Sequence, residues 1–304
     1  MNKCRLANQK NSHHYLNYYR LGATLYSPAT LDKLTQHLNA NTYHSLVVCT
    51  EDAIHEHEVE FALNNIQKTL YQLQPSATLR FIRPRNVQIL RTLLTMPGID
   101  KIDGFVLPKV DLSNISHYRQ LFSDHAIFTV MPTLETEIAF DQQALRKLCS
   151  ELNQFPCQIL CLRIGGNDLL NILKIKRPRN LSIYETPIRQ AIDNCITVFK
   201  PHHYQLSAPV YEYIDNASEA ILKKELEMDI AHGLLAKTAI HPCQVEHIQT
   251  AYKVTRSDYE IAKKILNPEI SAVFKFQGQM CEPATHHNWA EETMLRSSYY
   301  GLCF

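Results

Sequence analysis

Two carboxylates in this chain stand where a hard divalent cation could sit. Asp168 closes the stretch Arg163-Ile164-Gly165-Gly166-Asn167-Asp168, in which an apolar run over 159–164 reads as a buried strand and two glycines let the backbone turn tightly. Upstream, Met131-Pro132-Thr133-Leu134-Glu135-Thr136 again ends a strand in an acid. Carboxylates at the ends of successive strands suit one hard ion, which takes oxygen ligands. The same two acids could instead cap the helices that follow. Glu51, Asp52, Arg83, Lys109 and His241 also fall at strand ends. Arg83 follows an apolar run and suits an anionic substrate, because a guanidinium offers paired N–H donors to a carboxylate. Arg85 reads as a surface residue or a support for its neighbours. Asp52 can serve as a helix N-cap, Lys109 as a salt-bridge partner, and His241, before a proline, as a hydrogen-bonding residue within the same rim.

The elements that would position these residues alternate regularly after residue 20. Strands are expected over 21–26, 45–49, 77–82, 104–107, 127–131, 159–164, 204–208 and 238–240. Helices are expected over 29–38, 59–73, 87–94, 115–122, 140–152, 187–199 and 217–234. Thr186-Pro187 reads as an N-cap followed by proline at the first helical position. Eight strand–helix alternations argue for the α/β class and one (β/α)8 TIM barrel, with a doubly wound sheet as the alternative. In a barrel the C-terminal ends of the strands form the catalytic face, so the polar residues above would share one rim. The expected organisation is a polar N-terminal extension over 1–20, a TIM-barrel catalytic domain over 21–243 and a C-terminal helical extension over 244–304. The extension carries helical patterns over 245–265 and about 285–300, separated by an extended piece at 272–276 and the turn Gly278-Gln279. Such a tail could cap its own barrel or reach a neighbouring subunit.

Composition narrows the partners. A chain of 304 residues, 45% hydrophobic and 20% charged, has room for a large core. A formal charge of +1 gives no electrostatic case for nucleic acid. No apolar run is long enough to cross a membrane, and the polar N-terminus lacks the apolar core of a signal peptide, so a cytoplasmic location is expected. The Cys count is 9, with no C-x-x-C pair; Cys157 and Cys161 share a strand face and read as small buried apolar residues, so no zinc site is expected. The doublets His13-His14, His202-His203 and His286-His287 have no metal-ligand spacing. The basic stretch Lys174, Lys176, Arg177 and Arg179 around Pro178 reads as solvated surface, with a grip on phosphate as the alternative.

Taken in order, the motifs resemble the HpcH/HpaI aldolase and citrate lyase β-subunit family. The matching pieces are Leu25-Tyr26-Ser27-Pro28-Ala29, Glu51-Asp52-Ala53-Ile54, Ile82-Arg83-Pro84-Arg85-Asn86 and Gly104-Phe105-Val106-Leu107-Pro108-Lys109. They continue through Met131-Pro132-Thr133-Leu134-Glu135-Thr136, Gly165-Gly166-Asn167-Asp168-Leu169, Lys237-Thr238-Ala239-Ile240-His241-Pro242 and Gly278-Gln279-Met280-Cys281-Glu282-Pro283. The run from Arg177 to Pro187 and the segment Leu206-Ser207-Ala208-Pro209-Val210-Tyr211-Glu212 resemble a subgroup of TIM-barrel carbon–carbon bond lyases associated with bacterial tellurium-resistance and stress operons.

The resemblance implies Mg2+ held by Glu135 and Asp168. It implies that Arg83 binds a carboxylate or thioester oxygen and stabilises an enolate; Glu51 and Asp52, from their place on the rim, are expected in catalytic support. From their places at the strand ends, Lys109, Gly165, Gly166 and Pro209 are the expected substrate contacts. The resemblance also implies a homotrimer or larger homo-oligomer, in which the tail acid of one subunit enters the next subunit's site. The family has Asp there; this chain has Glu282, the candidate acid/base. Asn167 would support either the ion's water shell or only the turn. Two departures stand out. The usual Asp-Leu-Glu-Asp is Cys49-Thr50-Glu51-Asp52, and Val59 and Leu63 replace a Lys and an Arg. The expected function is a Mg2+-dependent carbon–carbon lyase acting through a metal-stabilised enolate on a small carboxylate or acyl-CoA-like thioester. The alternatives are a non-catalytic ligand-binding or scaffold protein on a retained barrel, and a pyruvate-type aldolase, which would need a histidine base.

Overall fold

Short apolar segments bounded by Pro, Gly and Asn alternate with amphipathic ones, and the chain resolves them into parallel strands joined by helices. The computed structural model describes residues 16–303. Its barrel strands are β1 (Ala23–Pro28), β2 (Ser45–Cys49), β3 (Leu79–Arg83), β4 (Gly104–Leu107), β5 (Thr129–Leu134), β6 (Leu162–Ile164), β7 (Leu206–Ser207) and β8 (Lys237–Ala239). They lie in the order β7-β6-β5-β4-β3-β2-β1-β8. A parallel bridge between Ala208 and Lys237 joins the two ends into a barrel. Every residue of β2, β3, β4 and β5 is buried, as strands covered on both faces require.

Between the strands run α1 (Leu34–Asn39), α2 (Val59–Gln72), α3 (Val87–Leu94), α4 (Ile115–Phe122), α5 (Gln142–Leu152), α6 (Gly166–Ile172), α7 (Ile188–Phe199) and α8 (Glu219–Ala231). Local chemistry sets several of their starts. Asn86 accepts from Ile89 N at 3.0 Å to cap α3, and Asp141 accepts from Gln143 N at 2.7 Å to cap α5. The β2, α3, β4 and α4 bounds are those expected from the sequence.

Other bounds move for identifiable reasons. β1, β3 and β5 run further toward the rim because Pro28, Arg83, Pro132 and Leu134 stay in register with Cys49, Cys49, Leu107 and Ile164. The expected 159–164 strand shrinks to β6, with Ile159 making only an isolated bridge to Val130. The 29–38 helix is regular only from Leu34. Thr186 does not cap α7: its hydroxyl donates back to Ile183 O at 2.6 Å, and Pro187 takes the cap position.

The tail departs most. The single helix expected over 245–265 is two, α9 (Pro242–Ala251) and α10 (Arg256–Ile265), parted by the short strand β9 (Val254–Thr255). Thr255 accepts from Asp258 N at 3.0 Å and starts the second helix. Because α9 packs on β1 and α8 as the eighth barrel helix, a boundary at 243 falls inside it. The hairpin β10 (Phe274–Phe276) and β11 (Gln279–Cys281) turns at Gln277 and Gly278, with φ of 45° and 84°, the positive pair a tight two-residue turn needs. The helix α11 (Pro283–Tyr300) and the strand β12 (Leu302–Cys303) complete the chain, with β12 pairing β9. Ile261, Ala262, Ile265, Cys281 and Ala290 form a small core of their own.

The C-terminal end of α11 is tied to the barrel floor, where Tyr300 donates to Leu235 O at 3.2 Å. Of the extension drawn over 1–20, residues 1–15, with His13-His14, lie outside the described residues. Tyr18 and Tyr19 are core residues. The Tyr18 hydroxyl donates to Leu206 O at 2.6 Å and accepts from Leu235 N at 2.9 Å. Among the described residues, no helix is long and apolar enough to cross a membrane.

The basic stretch after α6 is not simply solvated. Arg177 is buried and paired with Glu225, while Arg179 pairs with Asp215 and stacks over Tyr213 at 4.5 Å. Glu225 also accepts from Lys237 Nζ at 3.0 Å, and Lys237 reaches Asp229 at 2.9 Å, all four charged side chains being buried. Removing one member of such a network leaves charge uncompensated. Lys237→Met is therefore expected to lower unfolding free energy by roughly 3–5 kcal/mol, read from urea denaturation. A loss under about 1 kcal/mol, the range of an exposed pair, would contradict this account of the barrel closure.

Candidate active site

The strand ends converge on a cavity of about 240 Å³ at the C-terminal rim of the barrel. Glu51 and Asp52 follow β2, Arg83 ends β3, Lys109 follows β4, Glu135 follows β5, and Asp168 lies in the first turn of α6. Arg83 is the hub. Its Nη2 contacts Glu51, Glu135 Oε1 at 2.9 Å and Asp52 Oδ2 at 3.2 Å. Lys109 Nζ bridges Glu51, Asp168 Oδ1 at 3.5 Å and Asp52 Oδ1 at 3.7 Å. Lys109 also holds a φ of 48°, unusual for a side-chain-bearing residue, and this backbone points its N–H at Glu135 Oε1, 2.8 Å away.

Glu135 is thus divided between two tasks. Oε1 is fixed by Arg83 and by the Lys109 amide, whereas Oε2 accepts no hydrogen bond among the described residues. Burial raises this carboxyl to about 7, with Arg83 opposing the rise and Asp168 and Glu51 adding to it. Burial likewise raises Glu51, against Arg83 and Lys109. For Arg83, burial acts to lower the guanidinium, but Glu135, Tyr26 and Glu51 outweigh it and the net direction is up. For Lys109, too, burial is outweighed, chiefly by Glu51, and the ammonium is held above its usual range.

The Gly165-Gly166 turn has a steric reason. A Cβ on Gly165 would lie 2.3 Å from Glu135 Oε2, so only glycine lets β6 turn into α6 across that carboxylate. A Cβ on Gly166 would meet Ile183 Cδ1 at 2.6 Å and Pro209 Cβ at 2.9 Å. Gly166 therefore lines the cavity, and Pro209 backs it by packing. Asn167 also lines the cavity, and its side chain makes no hydrogen bond among the described residues.

The helix-capping alternatives for the acids do not apply. Asp141 caps α5, the turn Glu137–Phe140 begins without a side-chain cap, and Asp52 caps no helix. His241 does hydrogen-bond within the rim, its Nδ1 accepting from Cys243 N at 3.3 Å to cap α9. Arg85 is a clamp: Nη2 donates to Glu51 O at 3.0 Å and Ile54 O at 2.7 Å, and Nε to Thr50 O at 3.2 Å. It sets the loop that carries Glu51 and Asp52. Glu282 is not brought to this cavity. It begins α11 in the tail lobe, where its carboxylate accepts from Thr285 Oγ1 at 3.3 Å. Val59 and Leu63 pack partly buried against the core.

The donor set fits a hard divalent ion. Four carboxylates face two cationic side chains, which leaves an excess of two negative charges. One oxygen of Glu135 is uncommitted, and Mg2+ needs only one or two carboxylates because it keeps several waters. Among the described residues no three His, Cys, Asp or Glu are grouped to hold a metal ion, so an ion here would rest on one or two carboxylates and its own waters.

Cys49, singled out as an altered rim position, lines the cavity, whereas Tyr26, Thr133, Arg163 and Thr238 are given no site role by the sequence. The available signal was Arg163 itself, a charge inside an otherwise apolar strand.

A family model, C-C bond lyase of the TIM-barrel fold, matches residues 15–302. No curated protein matches the chain. Among solved structures, CitE from Mycobacterium tuberculosis in complex with magnesium, acetoacetate and coenzyme A is similar over 92% of this chain and 99% of its own. The TM-score is 0.67 and the identity 18%. RipC from Yersinia pestis is similar over 80% of this chain and 99% of its own, with a TM-score of 0.61 at 16% identity. A citrate lyase β subunit from M. tuberculosis, complexed with oxaloacetate and magnesium, is similar over 78% and 99%, with a TM-score of 0.59 at 17% identity. At these identities the likeness establishes a shared fold.

Gly165→Ala tests the placement of the acids. The added methyl must displace Glu135 Oε2. The expected result is a fall of roughly 10–100-fold in Mg2+ affinity, the scale seen when a ligand's support is disturbed, with the far-ultraviolet circular dichroism retained. Isothermal titration measures it, and an unchanged affinity would contradict the geometry.

Proposed function

The chain belongs to the C-C bond lyases of the TIM-barrel fold, and from that membership we propose that it is a Mg2+-dependent lyase cleaving or forming a carbon–carbon bond in a small carboxylate or its thioester. The observation that carries this reading is the division of Glu135, with one oxygen fixed by Arg83 and the Lys109 amide and the other left without a hydrogen bond beside Gly165, while Asp168 is near enough to raise the pKa of Glu135. Similar structures contain magnesium with acetoacetate or oxaloacetate, which supports the choice of ion and of substrate class.

Glu135 and Asp168 would hold the ion. When bound, Mg2+ supplies Lewis-acid polarisation of a substrate oxygen. The chain's own residues do the rest. Arg83 Nη1 and Nε make no hydrogen bond among the described residues, while Nη2 is anchored by three carboxylates; of the two, Nε is buried, and Nη1 is the donor offered to the substrate oxygen on which charge develops. Glu51 holds Arg83 and Lys109 in place. Asp52, with 59% of its side chain exposed, stands at the open edge and is the acid positioned to exchange a proton with substrate from within the same subunit. Glu282 would serve only by entering a neighbouring subunit's site, in a homotrimer or larger assembly. The run from Arg177 to Pro187 supports kinship with the tellurium-resistance and stress subgroup.

A non-catalytic scaffold is favoured by one observation, the apolar packing of Val59 and Leu63 where the family carries bases. A pyruvate-type aldolase has less support, since no histidine lines the cavity among the described residues.

Glu135→Gln and Asp168→Asn decide the matter. Each should reduce Mg2+ binding at least about tenfold and cut bond cleavage by roughly 10²–10⁴-fold, with the thermal midpoint near wild type. Titration calorimetry and release of carboxylate fragments from a panel of small hydroxy-acids and their CoA thioesters provide the readouts. Undiminished Mg2+ binding in both variants would overturn the metal assignment. Absence of Mg2+ binding in the unmodified protein would favour the scaffold.

A further inference from the structure

Arg163 is a buried charge without a counter-ion. The residue is 2% exposed. Its Nη2 donates to Thr238 Oγ1 at 2.6 Å, its Nη1 meets the Met131 sulfur at 3.7 Å, and its guanidinium lies 5.5 Å from the centroid of the Tyr26 ring. Every one of these neighbours is neutral. No carboxylate reaches it among the described residues. The other buried cations are treated differently: Arg83 meets three acids, Arg177 meets Glu225, and Lys237 meets Glu225 and Asp229. A buried unpaired charge is costly, so this position calls for an anion that the chain itself does not supply.

Arg163 lines the same cavity as Arg83, Glu135 and Asp168. Its depth follows from strand register. Arg163 is level with Thr133 on β5 and Ser207 on β7. Glu135 lies two residues further along from Thr133, and thus about 7 Å nearer the rim at about 3.3 Å per residue. Tyr26 stands within electrostatic reach of both Arg163 and Arg83. Thr238 accepts from Arg163 and makes no other hydrogen bond among the described residues, so its own hydroxyl hydrogen remains to be donated. The floor therefore offers a guanidinium and a hydroxyl, a pairing suited to one carboxylate. The rim offers Arg83 and the two acids proposed for the ion.

We propose that Arg163 and Thr238 bind a second carboxylate of the substrate, which makes the substrate a small dicarboxylate of the 2-hydroxy or 2-oxo type. This rests on the metal-site reading above. A cavity of about 240 Å³ has room for such a head group between Arg163 and the rim. In this arrangement the metal end handles the reacting oxygens, and Arg163 selects by the presence of the distal carboxylate. Arg163 is a specificity residue here.

The test uses two stable probes that differ only in that carboxylate. Racemic malate and racemic lactate are titrated calorimetrically into the full-length protein with saturating Mg2+, after Mg2+ has been titrated alone. The unmodified protein should bind malate at least about tenfold more tightly than lactate, the worth of a charge-assisted hydrogen-bond pair. Arg163→Met should bring malate to the level of lactate while leaving lactate and Mg2+ affinity unchanged. Arg163→Lys should retain part of the preference, since it keeps the charge and loses the fork. Equal binding of the two acids by the unmodified protein would overturn the inference, as would an undiminished malate preference in Arg163→Met. Should the methionine variant fail to fold, the unmodified protein and the lysine variant decide the question. Mg2+ binding without a malate preference would refute the dicarboxylate and leave the metal site standing. No Mg2+ binding would remove both.

Discussion

One guanidinium holds the rim together. Arg83 ends β3, yet its Nη2 contacts acids carried by the loop after β2 and by the end of β5. Three strand ends are thereby fixed relative to one another by a single planar group with directional donors. A lysine could reach these acids through its one nitrogen, but it would leave no second donor such as Nη1 beside them. The consequence reaches Glu135, whose Oε1 is immobilised while Oε2 accepts no hydrogen bond among the described residues and lies against Gly165. The burial that makes Glu135 costly to ionise also makes it a strong partner for a cation once one arrives. Lys109 completes the arrangement from the fourth strand, at the expense of a left-handed backbone.

The same barrel uses a second ion cluster for a different end. Its sheet is thinnest between β6 and β8, where β7 has only two residues and closure depends on the bridge from Ala208 to Lys237. There Lys237 enters a fully buried network with Glu225, Asp229 and Arg177. The network ties β8, α8 and the segment before α7 where backbone pairing is sparse. Its charges balance, and nothing in it faces the cavity. Rim and closure clusters thus differ in a way that speaks to function. The rim carries an uncompensated negative excess and, deeper, an uncompensated arginine, whereas the closure cluster is neutral and sealed.

Much of this was legible in the chain because it depends on local punctuation. Asn86 before α3, Gly104 opening β4 and the acids after apolar runs mark elements and rim positions without reference to distant residues. The placement of Glu51, Asp52, Arg83, Lys109, Glu135 and Asp168 on one rim follows from the alternation itself. What local pattern does not carry is pairing across long separations. Arg177 reads as surface charge until Glu225, 48 residues on, is found beside it. Arg85 reads equally as surface or as support until its three carbonyl partners decide for support. β1, β3 and β5 outrun their apolar runs because register with neighbours, and not hydrophobicity, decides where a strand stops. The helix break at β9 depends on a partner strand at the far end of the tail. Arg163 is the hardest case, since the lack of a counter-ion is a property of the fold alone.

The central claim is that Glu135 and Asp168 share one divalent ion beneath the Arg83 hub. Crystals grown with Mn2+ in place of Mg2+, with data collected at the manganese absorption edge, test it most directly. The account requires one anomalous peak within coordination distance of both Glu135 Oε2 and an oxygen of Asp168, with waters filling the remaining positions. A peak elsewhere on the molecule, or an ordered rim with no peak at saturating Mn2+, would contradict it.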